Sequence, residues 1–187
     1  MSENLRNFQK AIFTLDAVVR RTPADAWDNP SGCADWTARE VLGHVIWGIT
    51  NLANRANGLD SPPQQPEADI AGNDPEATWI AARDLVLGAL DRPGVLQTVA
   101  PTPFGEMAVD DFLGFYPVDP LLHSWDIAKA SGVDPALPTE LCELGYSGLQ
   151  AMGDNLRFPG GLGPVIDIGD DADIEARVLA ISGRDPR

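Results

Sequence analysis

The most constraining feature of this sequence is the recurrence of apolar residues at every third or fourth position. Between Glu3 and about Arg20 these residues fall on one face of a helix. They are Leu5, Phe8, Ile12, Leu15 and Val19. Because a helix with one apolar face must bury that face against another element, the pattern predicts a fold of packed helices.

Local signals mark the ends of further helices. Thr37 and Glu40 have the spacing of a capping box, in which each side chain bonds to the backbone of the other residue. Asp74 followed by Pro75 is a second helix start. The predicted helices after the first run from Thr37 to about Asn57, Asp74 to about Leu90, near Val109 to Ala130, about Thr139 to Leu156, and Asp171 to Ile181.

Prolines and glycines divide these helices. Pro117 and Pro120 lie inside the fourth predicted helix and predict a kink there, or a helix that stops and restarts. We expect a loop over residues 58–73, a short hairpin or irregular loop over 95–107, and a short strand over 165–168. The predicted fold is an all-α bundle in one domain, residues 1–187.

The charge balance argues against several classes of partner. The 187 residues include 28 acidic and 13 basic side chains, a formal charge of -15, which repels nucleic acid and anionic lipid. No apolar run is long enough to span a membrane, and no segment resembles a signal peptide. We expect a cytoplasmic protein without nucleic-acid or membrane partners.

The chain has two histidines, His44 and His123, and Asp119 lies one helical turn before the second. Two imidazoles and a carboxylate suit zinc or a similar divalent cation, with a fourth position open to water or substrate. His44 can equally be a core histidine with ordinary hydrogen-bond partners. Asp119 precedes Pro120 and can equally be the N-cap of a helix, with its carboxylate turned to its own backbone amides.

Two further groups of side chains belong with these candidates. Asp126, three residues after His123, can accept the ring N–H of that histidine, replace Asp119 as the ligand, or be a solvated helix residue. Trp36, Trp47 and Trp125 can line an apolar substrate pocket or belong to the core.

Two segments resemble a known family. Residues 32–44 (GCADWTAREVLGH) resemble the opening of the second helix in DinB-like proteins, and residues 119–132 (DPLLHSWDIAKASG) resemble a second signature. Within that superfamily the chain looks most like the actinobacterial branch related to the amino-terminal domain of mycothiol-dependent maleylpyruvate isomerase. The carboxyl end, residues 163–186, is also similar to tails in this branch.

The resemblance implies a four-helix bundle with short accessory helices. It further implies a divalent metal, zinc or nickel, held by His44, Asp119 and His123, to which family members present a low-molecular-weight thiol. The isomerase of the family is expected to carry a further carboxyl-terminal domain, for which 187 residues leave no room.

The leading hypothesis is a metal-dependent thiol S-transferase or thiol-assisted isomerase, acting on an electrophilic substrate with mycothiol as cosubstrate. We expect a monomer or a homodimer. The alternative is a non-catalytic helical bundle that binds a small apolar ligand or a protein partner.

Overall fold

Helices account for most of the chain in the computed structural model, which describes residues 1–102, 105–158, 161–169 and 171–187. The helices are α1 Glu3–Val19, α2 Ala38–Ala56, α3 Glu67–Ala71, α4 Pro75–Leu90, α5 Val109–Leu113, α6 Val118–Ser131, α7 Thr139–Met152 and α8 Ile174–Ile181. Two strands, β1 Val99–Thr102 and β2 Gly105–Ala108, pair antiparallel, and short 3₁₀ turns cover Val95–Gln97 and Gly153–Leu156.

Four of these helices, α1, α2, α4 and α6, pack around a common apolar core. The core includes Phe8 and Ile12 of α1, Ile49 of α2 and Trp79 of α4, all fully buried. The prediction of an all-α bundle with short accessory helices and a small hairpin is therefore confirmed. Among the described residues, no helix is both long enough and apolar enough to cross a membrane.

The predicted helix starts are present. The side chain of Thr37 accepts a hydrogen bond from the backbone N–H of Glu40, and the Glu40 carboxylate accepts one from the backbone N–H of Thr37 at 2.8 Å. The Asp74 carboxylate caps α4 by accepting from the N–H of Ala77 at 3.1 Å. These contacts join residues three apart in the sequence, which is why local patterns are sufficient to predict them.

The fourth predicted helix stops and restarts, as Pro117 and Pro120 predicted. α5 ends at Leu113 and α6 begins at Val118, directly after Pro117. Pro120 falls in the first turn of α6, where backbone N–H groups have no partner within the helix and a missing one is tolerated.

Two predictions fail. The loop expected over residues 58–73 contains α3, which packs so closely on α2 that a Cβ at Gly43 would lie 1.8 Å from the carbonyl oxygen of Glu67. The strand expected over residues 165–168 does not form. Instead, the N–H of Ile166 donates to the carbonyl of Ala180 at 3.0 Å, an isolated contact and not a ladder.

The hairpin expected over residues 95–107 is present as β1 and β2, and its residues 103 and 104 lie outside the described residues.

The structure has two compact units, residues 1–135 and 136–187. In the second unit α7 packs against α8, and the Arg157 guanidinium donates to the carbonyl of Ile181 at 2.7 Å. The single domain stays a prediction.

Candidate metal centre

The two histidines converge on one carboxylate oxygen. The Nε2 atoms of His44 and His123 each lie 3.4 Å from Oδ1 of Asp119, and the centroids of the two rings are 5.1 Å apart. One ligand atom from each of the three residues lies within 4.8 Å of the other two. For comparison, two ligands of a tetrahedral zinc ion are about 3.4 Å apart. This donor set fits a divalent cation.

Packing of α2 against α6 produces this convergence. His44 lies on α2, two turns after the capping box that begins the helix. Asp119 and His123 lie four residues apart on α6 and so share one face. The Asp119 carboxylate does not cap its helix, because α6 begins at Val118 without a side-chain cap. The sequence left two roles open for Asp119, a helix cap or a metal ligand. In the structure its carboxylate is turned toward the two histidines.

Asp126 orients the more buried of the two rings. Its Oδ2 lies 2.8 Å from Nδ1 of His123, and its side chain is fully buried. Since a carboxylate accepts a hydrogen bond from the ring N–H, Nδ1 donates to Asp126 and Nε2 faces Asp119. The loop before α2 closes over this pair: a Cβ at Gly32 would lie 2.8 Å from Oδ1 of Asp126. The contact expected from the sequence, in which Asp126 accepts the ring N–H of His123, is therefore present.

The charges of the cluster stabilise one another. Burial alone would raise the pKa of Asp119, but the nearby imidazole of His123 and hydrogen bonds to both rings hold this pKa well below its usual range. Burial alone would lower the pKa of His123. The negative charges of Asp119 and Asp126 outweigh it and raise that pKa to about 9. Asp119 is thus a permanent carboxylate between two imidazoles.

The site is open on one side. The side chains of His44 and Asp119 are 40% and 43% exposed, whereas that of His123 is 8% exposed. A small molecule can therefore approach two of the three donor groups from solvent, while the third is held inside the bundle. This combination of a fixed ligand and an accessible face is typical of catalytic sites and not of closed structural ones.

The sequence matches the Mycothiol maleylpyruvate isomerase N-terminal domain family over residues 8–128. The match covers more than half of the chain and includes His44, Asp119, His123 and Asp126. The chain belongs to this family. The resemblance stated from the two sequence segments is confirmed. Two uncharacterized proteins from two strains of Mycobacterium tuberculosis are each 28% identical over 153 residues, which is 81% of this chain and 81% of theirs.

Two solved structures share the fold. A crystal structure of a mutant of mycothiol-dependent maleylpyruvate isomerase aligns with a TM-score of 0.63 at 18% identity, over 97% of this chain and 88% of that chain. Another crystal structure of the isomerase gives 0.59 at 16% identity, with the same coverage. The two alignments therefore extend over nearly all of this chain and most of the isomerase chain. The expectation about a further carboxyl-terminal domain stays a prediction.

This member of the isomerase N-terminal domain family has five tryptophans, and the three that were pocket candidates lie at different places relative to the cluster. The ring of Trp36 lies next to His44, with centroids 5.2 Å apart. Trp47 follows His44 on α2, and its Nε1 is buried. Trp125 packs beside Gly32 and under the Lys129 ammonium group, about 160° around α6 from His123. Trp36 is thus next to His44, whereas Trp125 projects from a different side of α6 than His123. The pocket-lining role stays a prediction.

Two residues near the cluster were missed by the sequence analysis. The hydroxyl of Tyr116 donates to the carbonyl of Gly48 at 2.7 Å, one turn beyond His44 on α2. Asn51 lies two turns beyond His44 on the same face and is buried. An amide side chain on the same helix face as a candidate ligand and seven residues after it is a signal that could have identified Asn51.

Proposed function

We propose that this protein binds a divalent cation through His44, Asp119 and His123. We further propose that it acts as a thiol S-transferase or a thiol-assisted isomerase, with mycothiol as cosubstrate. The observation that carries the proposal is the convergence of both histidines on the Asp119 carboxylate, with Asp126 bonded behind His123. The names of the family and of the structural neighbours support a mycothiol-related function.

The donor set favours zinc among the divalent cations. Two imidazoles and one carboxylate are a common catalytic zinc set that leaves a fourth position for a substrate. Nickel also accepts imidazole and carboxylate ligands and is the second candidate. The cation would favour thiolate over thiol at its open position, so that a nucleophilic sulfur exists at neutral pH.

The residues of the chain would hold and orient the reactants. Asp126 keeps the Nε2 lone pair of His123 turned to the cluster, and the exposed faces of His44 and Asp119 admit the thiol. In a transfer, the sulfur forms a bond to carbon while the leaving group departs from that carbon. In an isomerisation, the sulfur adds to a carbon–carbon double bond, rotation follows, and the sulfur leaves with its electron pair.

The first prediction concerns metal content. Untagged protein should hold about one zinc or nickel ion per chain, and the His44→Ala/His123→Ala double variant should hold none, since it keeps a single ligand of the three. Elemental analysis of both proteins measures this, with circular dichroism to show that the variant is still helical. Equal metal in the two proteins would contradict the proposal.

Activity separates an enzyme from a binding protein. Purified holoprotein should consume mycothiol in the presence of an aryl halide, or isomerise maleylpyruvate only when mycothiol is added. A protein that holds metal but does neither would support the alternative, a bundle that binds a ligand or a partner without catalysis. The cytoplasmic location and the monomeric or dimeric state stay predictions.

A further inference from the structure

Two buried polar atoms on α2 have no hydrogen-bond partner among the described residues. They are Oδ1 of Asn51 and Nε1 of Trp47. Asn51 is 7% exposed as a whole. A buried polar atom without a partner lowers stability, and native proteins contain few of them. Two such atoms four residues apart on one helix therefore require an explanation.

Neighbouring asparagines on α2 show what a structural role looks like. The Asn54 amide donates to the carbonyl of Asp60 at 2.9 Å, and the amide of Asn57, at the end of the helix, donates to the carbonyl of Ala53 at 2.8 Å. Each fastens its side chain to nearby backbone. Oδ1 of Asn51 makes no such contact among the described residues, so its hydrogen-bonding capacity is unused.

The position of these atoms points to the metal centre. Asn51 follows His44 by seven residues, or two turns, and so lies within about 20° of the same helix face. Between them, the carbonyl of Gly48 accepts the hydroxyl of Tyr116, three residues before Asp119. This face of α2 is therefore the one covered by the segment that carries the second and third ligands.

We propose that Asn51 and Trp47 form a hydrogen-bonding subsite for the polar body of the thiol whose sulfur binds at the cluster, an inference that rests on the proposed function. The subsite offers one acceptor, Oδ1 of Asn51, and one donor, the indole N–H of Trp47. A hydroxyl or a secondary amide satisfies both atoms.

The distance along α2 from His44 to Asn51 sets the minimum length of the thiol. At 1.5 Å per residue, Asn51 lies about 10 Å along α2 from His44 and Trp47 about 4.5 Å. A thiol that reaches both the cation and Asn51 must therefore extend about 10 Å beyond its sulfur and carry hydroxyl or amide groups. Cysteine is too short to do so. The subsite selects an extended, polar thiol over a small one.

The second prediction tests this subsite with Asn51→Leu in the metal-loaded full chain. Without thiol, the melting temperature should rise by about 2–4 °C, because a buried, unpaired amide oxygen is replaced by an apolar group of similar size. The dissociation constant for mycothiol should rise about tenfold, because one hydrogen bond is lost. The dissociation constant for cysteine should not change. Calorimetric titration measures both constants.

Two variants accompany this test. Asn54→Leu is the matched control: it removes a bonded amide from the same helix, and should lower the melting temperature and leave mycothiol binding unchanged. Trp47→Phe removes the N–H donor and keeps an aromatic ring, and should weaken mycothiol but not cysteine. It provides the test if Asn51→Leu does not fold.

The outcomes separate this inference from the proposed function. If Asn51→Leu and Trp47→Phe bind mycothiol as wild type does while metal content is normal, the subsite is overturned and the metal-dependent function stands. If Asn51→Leu melts below wild type, its amide is structural and the subsite is likewise overturned. If wild-type protein holds metal but binds no mycothiol, both fail. Absence of metal from wild type overturns the proposed function.

Discussion

Asp126 shows how much of this site depends on single side chains behind the ligands. It is buried on α6 and bonds to His123, and its backbone carbonyl accepts the N–H of Gly32 at 3.0 Å. Gly32 is close enough to the Asp126 carboxylate and the Trp125 ring that any side chain there would collide with both. The loop before α2 thus packs against Asp126, the residue whose carboxylate contacts the imidazole of His123.

The third prediction is that Asp126→Asn weakens metal binding about 10- to 100-fold while the protein stays folded. The amide oxygen can still accept the N–H of His123, but the negative charge that increases the basicity of the ring is lost. Competition with a chromogenic chelator measures the affinity. Asp111→Asn, which removes a charge from an exposed position of α5, is the control for net charge and should have no effect. Wild-type affinity in Asp126→Asn would mean that the contact does not support the site.

At the scale of elements, close approach of α2 and α3 depends on a glycine. Glycine within a helix is less favourable than alanine by about 1 kcal/mol. Gly43, next to His44, is required despite this lower helix propensity, because the backbone of Glu67 lies where a side chain would be. The opposite case is Gly88 in α4, which is exposed and where an added Cβ would meet nothing within 4 Å.

The fourth prediction uses this pair of glycines. Gly88→Ala should raise the free energy of unfolding by about 0.5–1 kcal/mol, the gain in helix propensity alone. Gly43→Ala should lower it by about 1–3 kcal/mol, because the methyl group must displace α3. Urea titrations of the two variants measure both changes. If Gly43→Ala were stabilised as much as Gly88→Ala, α3 would not pack on α2 as described.

At the scale of the whole molecule, a bound cation would join helices that are distant in the sequence. His44 and Asp119 are 75 residues apart, and the first lies on α2 and the second on α6. A ligand that binds only the folded state stabilises it in proportion to the logarithm of ligand concentration over the dissociation constant. Metal binding should therefore be visible in global stability.

The fifth prediction is that EDTA lowers the melting temperature of metal-loaded protein by roughly 5–10 °C. The estimate corresponds to a cation present at about a hundred times its dissociation constant, or about 2.7 kcal/mol, in a chain of this size. The His44→Ala variant should show little shift, since one of three ligands is missing. No shift in wild type would favour the non-catalytic bundle.

Short-range interactions explain what the sequence by itself determined about this protein. The capping box at Thr37, the cap at Asp74 and the helix break at Pro117 each depend on residues within one turn, so patterns in the chain were sufficient to predict them. The candidate ligands could also be named from sequence, because the chain has only two histidines and one of them follows an aspartate by four residues.

Only the tertiary structure decided the questions that involve distant partners. Whether Asp119 capped α6 or turned to His44 depended on the approach of α2, which no local pattern contains. The alternating segment at residues 165–168 formed no strand, because a strand requires a partner along its length and Ile166 met a single carbonyl. Asn51 became notable only when packing left its oxygen buried and unpaired, since burial is a property of the folded chain.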